Sequence, residues 1–229
     1  MPVDRFYCPH PFNEGALVNL EESEHHHARV MRIAVGEEVE LVNGQGSLAQ
    51  AKVATLDKRA TTLEILKVET VSRPSREIIL AIPMMRPNKL ELIVEKGTEL
   101  GADAFWLYTA DHSEKSDLSN NQSERLRNLT ISALKQSGRL FLPSLEILPS
   151  LDKIEGFLLF GDTRPEAPNL LEVNGPSRII FITGPEKGFS EREVVQLEKK
   201  GKGVRLNPYI LRAETAPLAA VSVLMSSNS

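Results

Sequence analysis

Residues 184–190 read GPEKGFS and residues 206–216 read LNPYILRAETA, and these two stretches decide how the chain is interpreted. The first follows an apolar segment predicted as a buried strand, and the second begins where another short predicted strand ends. In an open parallel sheet, ligands bind beyond the carboxyl ends of the strands. The glycines and the proline of the first stretch allow tight turns and a close approach of the backbone to a flat ligand. Both stretches, with the Gly161-Asp162 turn after a third predicted strand, are therefore candidate walls of a binding site.

Two familiar nucleotide-binding motifs do not fit the first stretch. A phosphate-binding P-loop places its lysine directly after the last glycine, whereas Lys187 precedes Gly188. A dinucleotide fingerprint needs Gly-x-Gly-x-x-Gly near the first strand of its domain, and the sequence has none. Backbone groups of this loop could still bind the edge of an adenine without help from side chains. An ordinary turn between a strand and a helix is the alternative interpretation.

From residue 76 onwards the pattern alternates between strands and helices. Strands are predicted at residues 78–82, 104–108, 157–160, 179–182 and 204–206, and helices at residues 88–100, 121–137, 190–201 and 214–225. Ser190 and Glu193 form the sequence signature of a capping box at the start of the third of these helices. Alternation of this kind indicates an α/β fold in which helices cover both faces of a mostly parallel sheet.

The first 70 residues carry mainly strand signals. Strands are predicted at residues 38–42, 47–56 and 61–68, and a short helix around residues 23–31. Asn43-Gly44, between the first two strands, is typical of a hairpin turn. These elements predict a small β-barrel, and the polar stretch of residues 71–76 is predicted to link it to the α/β part.

The composition is that of a globular chain of 229 residues, with 41% hydrophobic and 25% charged residues. No apolar run is long enough to cross a bilayer and the N-terminus lacks a secretory signal, so we expect a cytoplasmic protein without membrane contacts. The net charge of −4 does not indicate a nucleic-acid binder, because phosphate contacts demand positive charge. Any RNA-binding surface must therefore be a local basic patch.

Neither cysteine nor histidine indicates a metal site, and we expect no metal. Cys8 is the only cysteine, which excludes a disulfide within the chain and a cysteine-based zinc cluster. Residues 25–27 are three histidines, but successive helical side chains point about 100° apart, so the three cannot share one ion. His25, Arg29 and Arg32 are instead predicted to line one helical face that contacts RNA phosphate, with a merely solvated face as the alternative.

The motifs, in their order along the chain, resemble the ribosomal RNA small subunit methyltransferase E family. Four upstream pieces accompany the two C-terminal stretches: HARVMR at residues 27–32, VGEE at 35–38, KGTELG at 96–101 and QSGR at 136–139. The resemblance implies an RNA-binding PUA-like β-barrel at residues 1–71 and a SPOUT methyltransferase domain with a C-terminal trefoil knot at residues 76–229. It also implies a homodimer that transfers a methyl group from S-adenosylmethionine to N3 of a uridine in 16S (small-subunit) ribosomal RNA, within the assembled 30S subunit.

By the same resemblance, the three candidate loops form the pocket for S-adenosylmethionine. The implied cofactor-binding residues are Phe160, Gly161, Thr183, Gly184, Pro185, Glu186, Lys187, Gly188, Leu206, Asn207, Ile210 and Leu211. Lys187, Asn207, Tyr209 and Ala213 depart from the family's usual residues. A lysine close to a sulfonium would be electrostatically unfavourable unless its side chain points outward.

Methylation of N3 requires loss of the N3 proton, and Arg212 and Glu214 are the candidate catalytic residues. The Arg212 cation would favour the uracil anion, and Glu214 would accept the proton or orient Arg212. The alternative is that the two side chains only form the cap and an ion pair of the last helix. Candidate RNA-phosphate contacts are Arg29, Arg32, Arg86, Lys89 and Arg139.

Two other functions stay open at this point. The departures at Lys187 and Asn207 leave room for an RNA-binding protein on the same scaffold that no longer catalyses methyl transfer. A relative that methylates another RNA, such as a ribose 2′-hydroxyl of transfer RNA, would share the same loops.

Overall fold

The computed structural model describes residues 4–113 and 117–226, which form two compact units. The first comprises Met1–Arg73 and Leu134–Leu142, and the second Pro74–Ala133 and Pro143–Ser229. The short segment Leu134–Leu142 thus belongs to the first unit, although it lies within the sequence range expected for the second domain. The outermost residues of the predicted domain ranges, 1–3 and 227–229, lie outside the described residues.

The first unit is built on a five-stranded, mostly antiparallel sheet with strand order β1-β3-β4-β5-β2. Its elements are β1 (Arg5–Tyr7), β2 (Leu17–Leu20), α1 (Glu22–Met31), β3 (Glu38–Val42), β4 (Ser47–Leu56) and β5 (Thr61–Thr70). The predicted meander is confirmed as β3, β4 and β5. Strands β1 and β2 were not predicted, because three or four residues are too few to show a clear alternation. One apolar core, which includes Phe6, Leu41 and Leu63, fills this unit.

The turn between β3 and β4 forms hydrogen bonds with the segment Leu134–Leu142. The Asn43 side-chain oxygen accepts hydrogen bonds from the backbone N–H groups of Gln45 and Ser47, at 2.8 and 3.0 Å. The N–H of Gly46 donates to the carbonyl of Leu140 at 2.8 Å, and the N–H of Leu142 donates to the carbonyl of Gly44 at 2.9 Å. The hairpin turn predicted from Asn43-Gly44 is therefore confirmed, and it binds a segment that comes from much later in the chain.

The second unit is a six-stranded, entirely parallel sheet with strand order β11-β9-β10-β6-β7-β8. Its strands are β6 (Glu77–Pro83), β7 (Ala104–Tyr108), β8 (Ser144–Leu148), β9 (Leu158–Gly161), β10 (Arg178–Ile182) and β11 (Gly201–Val204). Its helices are α2 (Pro87–Leu100), α3 (Asn120–Ser137), α4 (Glu191–Lys200) and α5 (Thr215–Ser226). Separate apolar clusters cover the two faces of the sheet, as the α/β pattern predicted.

Two strands of this sheet differ from the prediction. Strand β11 spans Gly201–Val204 rather than residues 204–206, and β8 was not predicted. Both are edge strands, in which half or more of the residues are not buried, so they lack the continuous apolar run that marks a central strand. The predicted helices are confirmed to within one residue at each end.

The carboxyl ends of β9, β10 and β11 meet at one edge because the strands are parallel and nearly in register. Val204 pairs with Gly161, and Ile182 pairs with Phe160. Beyond Val204 the chain runs beside the loop that follows β9: the N–H of Arg205 donates to the carbonyl of Pro168 at 2.8 Å, and the carbonyl of Arg205 accepts from Leu170 at 3.0 Å. Helix α5 then packs against α2 and β6. Among the described residues, no helix is both long and apolar enough to cross a membrane.

Candidate active site

A cavity of about 990 Å³ lies at the carboxyl ends of β9, β10 and β11. The loops that follow these three strands form its walls, at residues 161–165, 183–189 and 205–214. Its volume is at the upper end of the range seen for sites that bind drug-sized ligands and cofactors. The three loops singled out in the sequence therefore converge on one cavity.

All but one of the predicted cofactor-binding residues line this cavity. Those that line it are Phe160, Gly161, Thr183, Gly184, Pro185, Glu186, Gly188, Leu206, Asn207, Ile210 and Leu211. The exception is Lys187, which is exposed and does not contribute to the wall. The lysine expected to oppose a cationic ligand is therefore not part of the cavity wall.

Further lining residues were not named individually as cofactor-binding. They are Asp162, Thr163, Arg164, Pro165, Phe189, Val194, Arg205, Pro208, Tyr209, Ala213 and Ala216, together with Lys89, a predicted RNA contact. Half of them lie within the stretches predicted as candidate walls, and Thr163, Arg164, Pro165 and Arg205 follow or precede those stretches directly. Lys89 comes from α2 and had no such signal in the sequence.

The loop after β10 is held rigidly at both ends. The hydroxyl of Ser190 accepts the N–H of Glu193 at 3.2 Å, and the Glu193 carboxylate accepts the N–H of Ser190 at 2.8 Å, which confirms the predicted capping box. The second oxygen of this carboxylate accepts the N–H of Asp111, from the loop after β7, at 3.0 Å. Glu193 is only 1% exposed. This buried carboxylate therefore fastens two neighbouring loops together.

Thr183, at the start of the same loop, presents a free hydroxyl. Its backbone is fixed, because its carbonyl accepts the Tyr108 hydroxyl at 2.7 Å and its N–H donates to Ala81 at 3.1 Å. Its side-chain oxygen is buried and has no hydrogen-bond partner among the described residues. A buried polar group without a partner is costly, and a ligand that hydrogen-bonds to it would remove that cost.

The charged groups of the cavity are arranged around Lys89. The Lys89 ammonium forms ion pairs with Glu186, from the loop after β10, and with Glu214 at 3.0 Å, from the loop before α5. Lys89 was predicted to contact RNA phosphate; in the structure it instead joins two carboxylates in two walls of the cavity. This contact joins residues 125 positions apart in the chain (89 and 214), so sequence spacing could not reveal it.

Lys89 also helps to lower the pKa of Glu214. Partial burial raises the pKa of the Glu214 carboxyl, but its own backbone N–H and the Lys89 ammonium outweigh that effect, and the net pKa is lowered. The pKa of Lys89 is raised in return, chiefly by its hydrogen bonds to Glu186 and Glu214. At neutral pH the two groups are therefore oppositely charged, and Glu214 is a weak base.

We expect the contribution of this ion pair to stability to disappear in acid. Because the pKa of Glu214 is lower in the folded state than its usual 4.5, the contribution is complete above pH 4.5 and is lost as the pH falls through the lowered value. Urea unfolding of the wild type and of Glu214→Gln should give a difference in free energy at neutral pH that shrinks as the pH falls below 4.5. A difference that stays constant over this range would contradict the assignment.

Arg212 is not part of the ion pairs around Lys89. Its side chain lines the cavity and is exposed, and no ion pair of its guanidinium is found within residues 4–113 and 117–226. Its backbone carbonyl accepts the N–H groups of Thr215 and Ala216, at 2.9 and 3.0 Å, and so begins α5. The close ion pair of Glu214 is with Lys89 rather than with Arg212, although the charge of Arg212 also contributes to the lowered pKa of Glu214.

The predicted RNA-phosphate contacts divide between the two units. Arg29 and Arg32 are exposed in the first unit, which also contains Arg139, whereas Arg86 directly precedes α2 in the second unit. The expectation that His25 shares an exposed face with them is wrong, because His25 is buried and contacts the Thr61 hydroxyl at 2.9 Å. Helix α1 ends at Met31, and Arg32 has a left-handed backbone, so it too leaves that face.

The histidines take no part in a metal site in the part of the chain that the structure describes. No group of three or more histidine, cysteine, aspartate or glutamate side chains is placed to hold an ion there. His27 instead lies beside Phe6, with ring centroids 5.2 Å apart, and near the Lys135 ammonium at 3.3 Å.

Comparison with known proteins extends over both units. The family described as RNA methyltransferase domain matches residues 72–225, and the family described as RNA methyltransferase PUA domain matches residues 20–66. The ribosomal RNA small subunit methyltransferase E of Aquifex aeolicus is 32% identical over 93% of this chain and 95% of its own length. The protein of that name from Bacillus subtilis is 29% identical over 89% of this chain and 87% of its own.

Two solved structures are similar to this chain over nearly its whole length. A ribosomal RNA small subunit methyltransferase E from Neisseria gonorrhoeae, bound to S-adenosylmethionine, has a TM-score of 0.89 and 29% identity, and covers 98% of this chain and 97% of its own. A putative methyltransferase from Legionella pneumophila, in complex with the same cofactor, has a TM-score of 0.91 and 25% identity over 99% of this chain and 98% of its own.

These matches confirm the predicted fold class: an α/β SPOUT trefoil-knot domain with a parallel sheet at the C-terminal side, and a small PUA-like β-barrel at the N-terminal side. The resemblance read from the two C-terminal stretches extends along nearly the whole length of curated relatives. The chain therefore belongs to the ribosomal RNA small subunit methyltransferase E family.

Proposed function

We propose that this protein transfers the methyl group of S-adenosylmethionine to N3 of a uridine in 16S ribosomal RNA. The observation that carries the proposal is the cavity at the carboxyl ends of β9, β10 and β11, with the unpaired Arg212 guanidinium in its wall. Family membership supports the reaction class, and relatives of similar fold are bound to S-adenosylmethionine.

The cavity is large enough for S-adenosylmethionine and offers it both polar and apolar groups. Its glycine-bearing loop leaves backbone groups accessible, Phe160 and Phe189 provide an apolar edge, and the unpartnered Thr183 hydroxyl can bond to a polar group of the ligand. The carboxylates of Glu186 and Glu214 are paired with the Lys89 ammonium, so their negative charge is balanced within the cavity wall. When bound, S-adenosylmethionine supplies a methyl group that is activated by the adjacent sulfonium.

The side chains of the chain then act on the uracil. Arg212 can donate to a uracil carbonyl and stabilise the anion that forms when the N3 proton leaves. Glu214 has a lowered pKa and is a weak base. We therefore propose that it holds the Lys89 side chain in place and balances its charge. The proton on N3 of the uracil is then released directly to water.

We further propose that the RNA is bound within the assembled 30S subunit in the cytoplasm, partly by the barrel unit at residues 1–71. Exposed Arg29 and Arg32 are its candidate phosphate contacts, and Arg86 and Arg139 are candidates elsewhere in the chain. The net charge of −4 makes such local groups necessary, since the chain as a whole does not attract RNA.

A homodimer is proposed from the character of α5. Its sequence, TAPLAAVSVLMS, contains no charged residue, so no side of this helix is strongly polar. Leu218, Ala219, Ser222 and Met225 follow one another at helical spacing, and Ser222 and Met225 are exposed. A helix that is apolar all round is normally buried, and a second copy of the same face would cover it.

We expect Ser222→Glu to convert the dimer into monomers. A carboxylate placed within the contact would be buried without a partner, which should weaken dimer affinity by about 100-fold or more. Ser222→Ala is the matched control and should remain dimeric, since alanine fits the same space. Sedimentation velocity distinguishes the species, and a Ser222→Glu protein that remains fully dimeric would place the interface elsewhere.

The proposed reaction is tested by mass spectrometry of nucleosides from small-subunit RNA. A strain that lacks the gene should lose N3-methyluridine and regain it on complementation, and the purified protein should restore it to deficient 30S subunits more readily than to deproteinised RNA. If N3-methyluridine persists while a 2′-O-methylated nucleoside of transfer RNA disappears, the other-substrate alternative is correct. If no modification changes, the protein is an RNA-binding scaffold without turnover. Lys187, one of the two residues that motivate that last alternative, does not line the cavity.

A further inference from the structure

The aromatic ring of Tyr209 lies at the mouth of the cavity and is largely exposed to solvent. Tyr209 contributes to the cavity wall yet is 81% exposed, and the adjacent Ile210 is 85% exposed. The phenylalanines of the cavity, Phe160 and Phe189, pack edge-to-face against each other with their centroids 6.2 Å apart. Among the described lining residues, Tyr209 is therefore the most exposed aromatic side chain.

The backbone displays this ring in a defined position. The N–H of Tyr209 donates to the side-chain oxygen of Asn207 at 3.0 Å, which closes an Asx turn around Pro208. Pro208 restricts its own backbone dihedral, so the loop has few alternatives. A tyrosine also has only two rotatable side-chain bonds and loses little entropy when it is contacted. A large apolar surface held out on such a loop, at the edge of a cavity, is suited to binding.

An unpaired RNA base is the ligand that this position fits. Exposed bases of single-stranded RNA stack on aromatic side chains, because every base has a π-face. Methylation at N3 also requires the uracil to leave its pairing and stacking before it can reach the cavity. Arg212, three residues further along the same loop, also lines the cavity and provides positive charge there.

We propose that Tyr209 stacks on a base of the RNA at the mouth of the cavity and so positions the target uridine. This inference rests on the proposed function and adds a residue that binds substrate rather than cofactor. Asn207 and Tyr209, two of the positions at which the chain departs from its family's usual residues, act together: one fixes the turn that presents the other.

The test compares two substitutions of similar size in the full-length protein. Tyr209→Leu keeps an apolar side chain but removes the π-face, and Tyr209→Phe keeps the ring. With 30S subunits from the deletion strain, we expect Tyr209→Leu to raise the KM for RNA about tenfold, and Tyr209→Phe to stay within about twofold of the wild type. Both should bind S-adenosylmethionine with wild-type affinity by calorimetry. Val195→Ala, at an exposed apolar side chain on α4, is the control and should change neither constant.

Two results would overturn the stacking role. One is a Tyr209→Leu protein whose KM equals that of the wild type. The other is a Tyr209→Leu protein that sediments as a monomer, since the ring would then be covered by a second copy. If the wild type transfers no methyl group, the proposed function fails, and gel-shift affinity for the same RNA decides the inference instead. Equal affinity of wild type and Tyr209→Leu then rejects it, and a loss of about tenfold supports it.

Discussion

Arg212→Ala should lower kcat for methyl transfer by about 100- to 1000-fold while leaving the affinity for S-adenosylmethionine nearly unchanged. The reason is that the guanidinium lines the cavity without an ion pair among the described residues, so its charge is available to a group that gains negative charge during the reaction. Removal of a single fixed donor that acts mainly on the transition state typically has an effect of this size. Single-turnover kinetics with 30S subunits measures kcat, and calorimetry measures cofactor affinity.

Arg212→Lys is the matched control for this prediction. It keeps the positive charge but loses the planar pair of donors, so we expect an intermediate loss of about tenfold. Because the carbonyl of Arg212, and not its side chain, begins α5, both variants should keep the stability of the wild type. Equal rates for Arg212→Ala and the wild type would remove Arg212 from catalysis, and a large loss of stability in Arg212→Ala would restore the purely structural alternative.

The central elements of the fold could be predicted because their patterns are local. The strands β6, β7 and β10 are continuous apolar runs, and α4 begins with a capping box four residues long. Strand β11 was misplaced for a physical reason: Gly201 and Gly203 look like helix-stopping residues in the sequence. In the structure a β-carbon at Gly201 would lie 2.7 Å from the carbonyl oxygen of Leu158, so the glycine permits close approach to β9. That requirement depends on a neighbour some forty residues away.

The candidate site shows the same division between local and distant information. The three loops could be predicted, since each follows a strand and the carboxyl ends of parallel strands share an edge. The contacts between distant side chains could not be predicted. Lys89 resembled a phosphate contact on an exposed helix start, and only the fold brings it to Glu214. His25 resembled part of a basic face, and only the approach of β5 buries it against Thr61.

Glu193→Ala should lower the free energy of unfolding by about 3 kcal/mol and the Tm by roughly 10 °C. The Glu193 carboxylate is 1% exposed and accepts two backbone N–H groups, those of Ser190 and Asp111, at 2.8 and 3.0 Å. Alanine would leave both donors without their acceptor and would open a void beneath the loop after β10. Chemical and thermal denaturation followed by circular dichroism would measure both quantities.

The same substitution should also weaken binding of S-adenosylmethionine, because the loop that carries Gly184 and Gly188 begins at Thr183 and is fastened at Ser190. Glu193→Gln separates the space that the side chain fills from the hydrogen bonds that it accepts. It fills the same space and keeps one acceptor oxygen, but its amide nitrogen faces an N–H donor, so we expect about half the loss seen with alanine. Ser190→Ala removes the hydroxyl that accepts the N–H of Glu193 and donates to the Asp111 carboxylate, and should cost about 1 kcal/mol. If Glu193→Ala is no less stable than Ser190→Ala, then the buried Glu193 carboxylate adds nothing to the contacts of Ser190, and it is not what fastens the loops after β7 and β10 together.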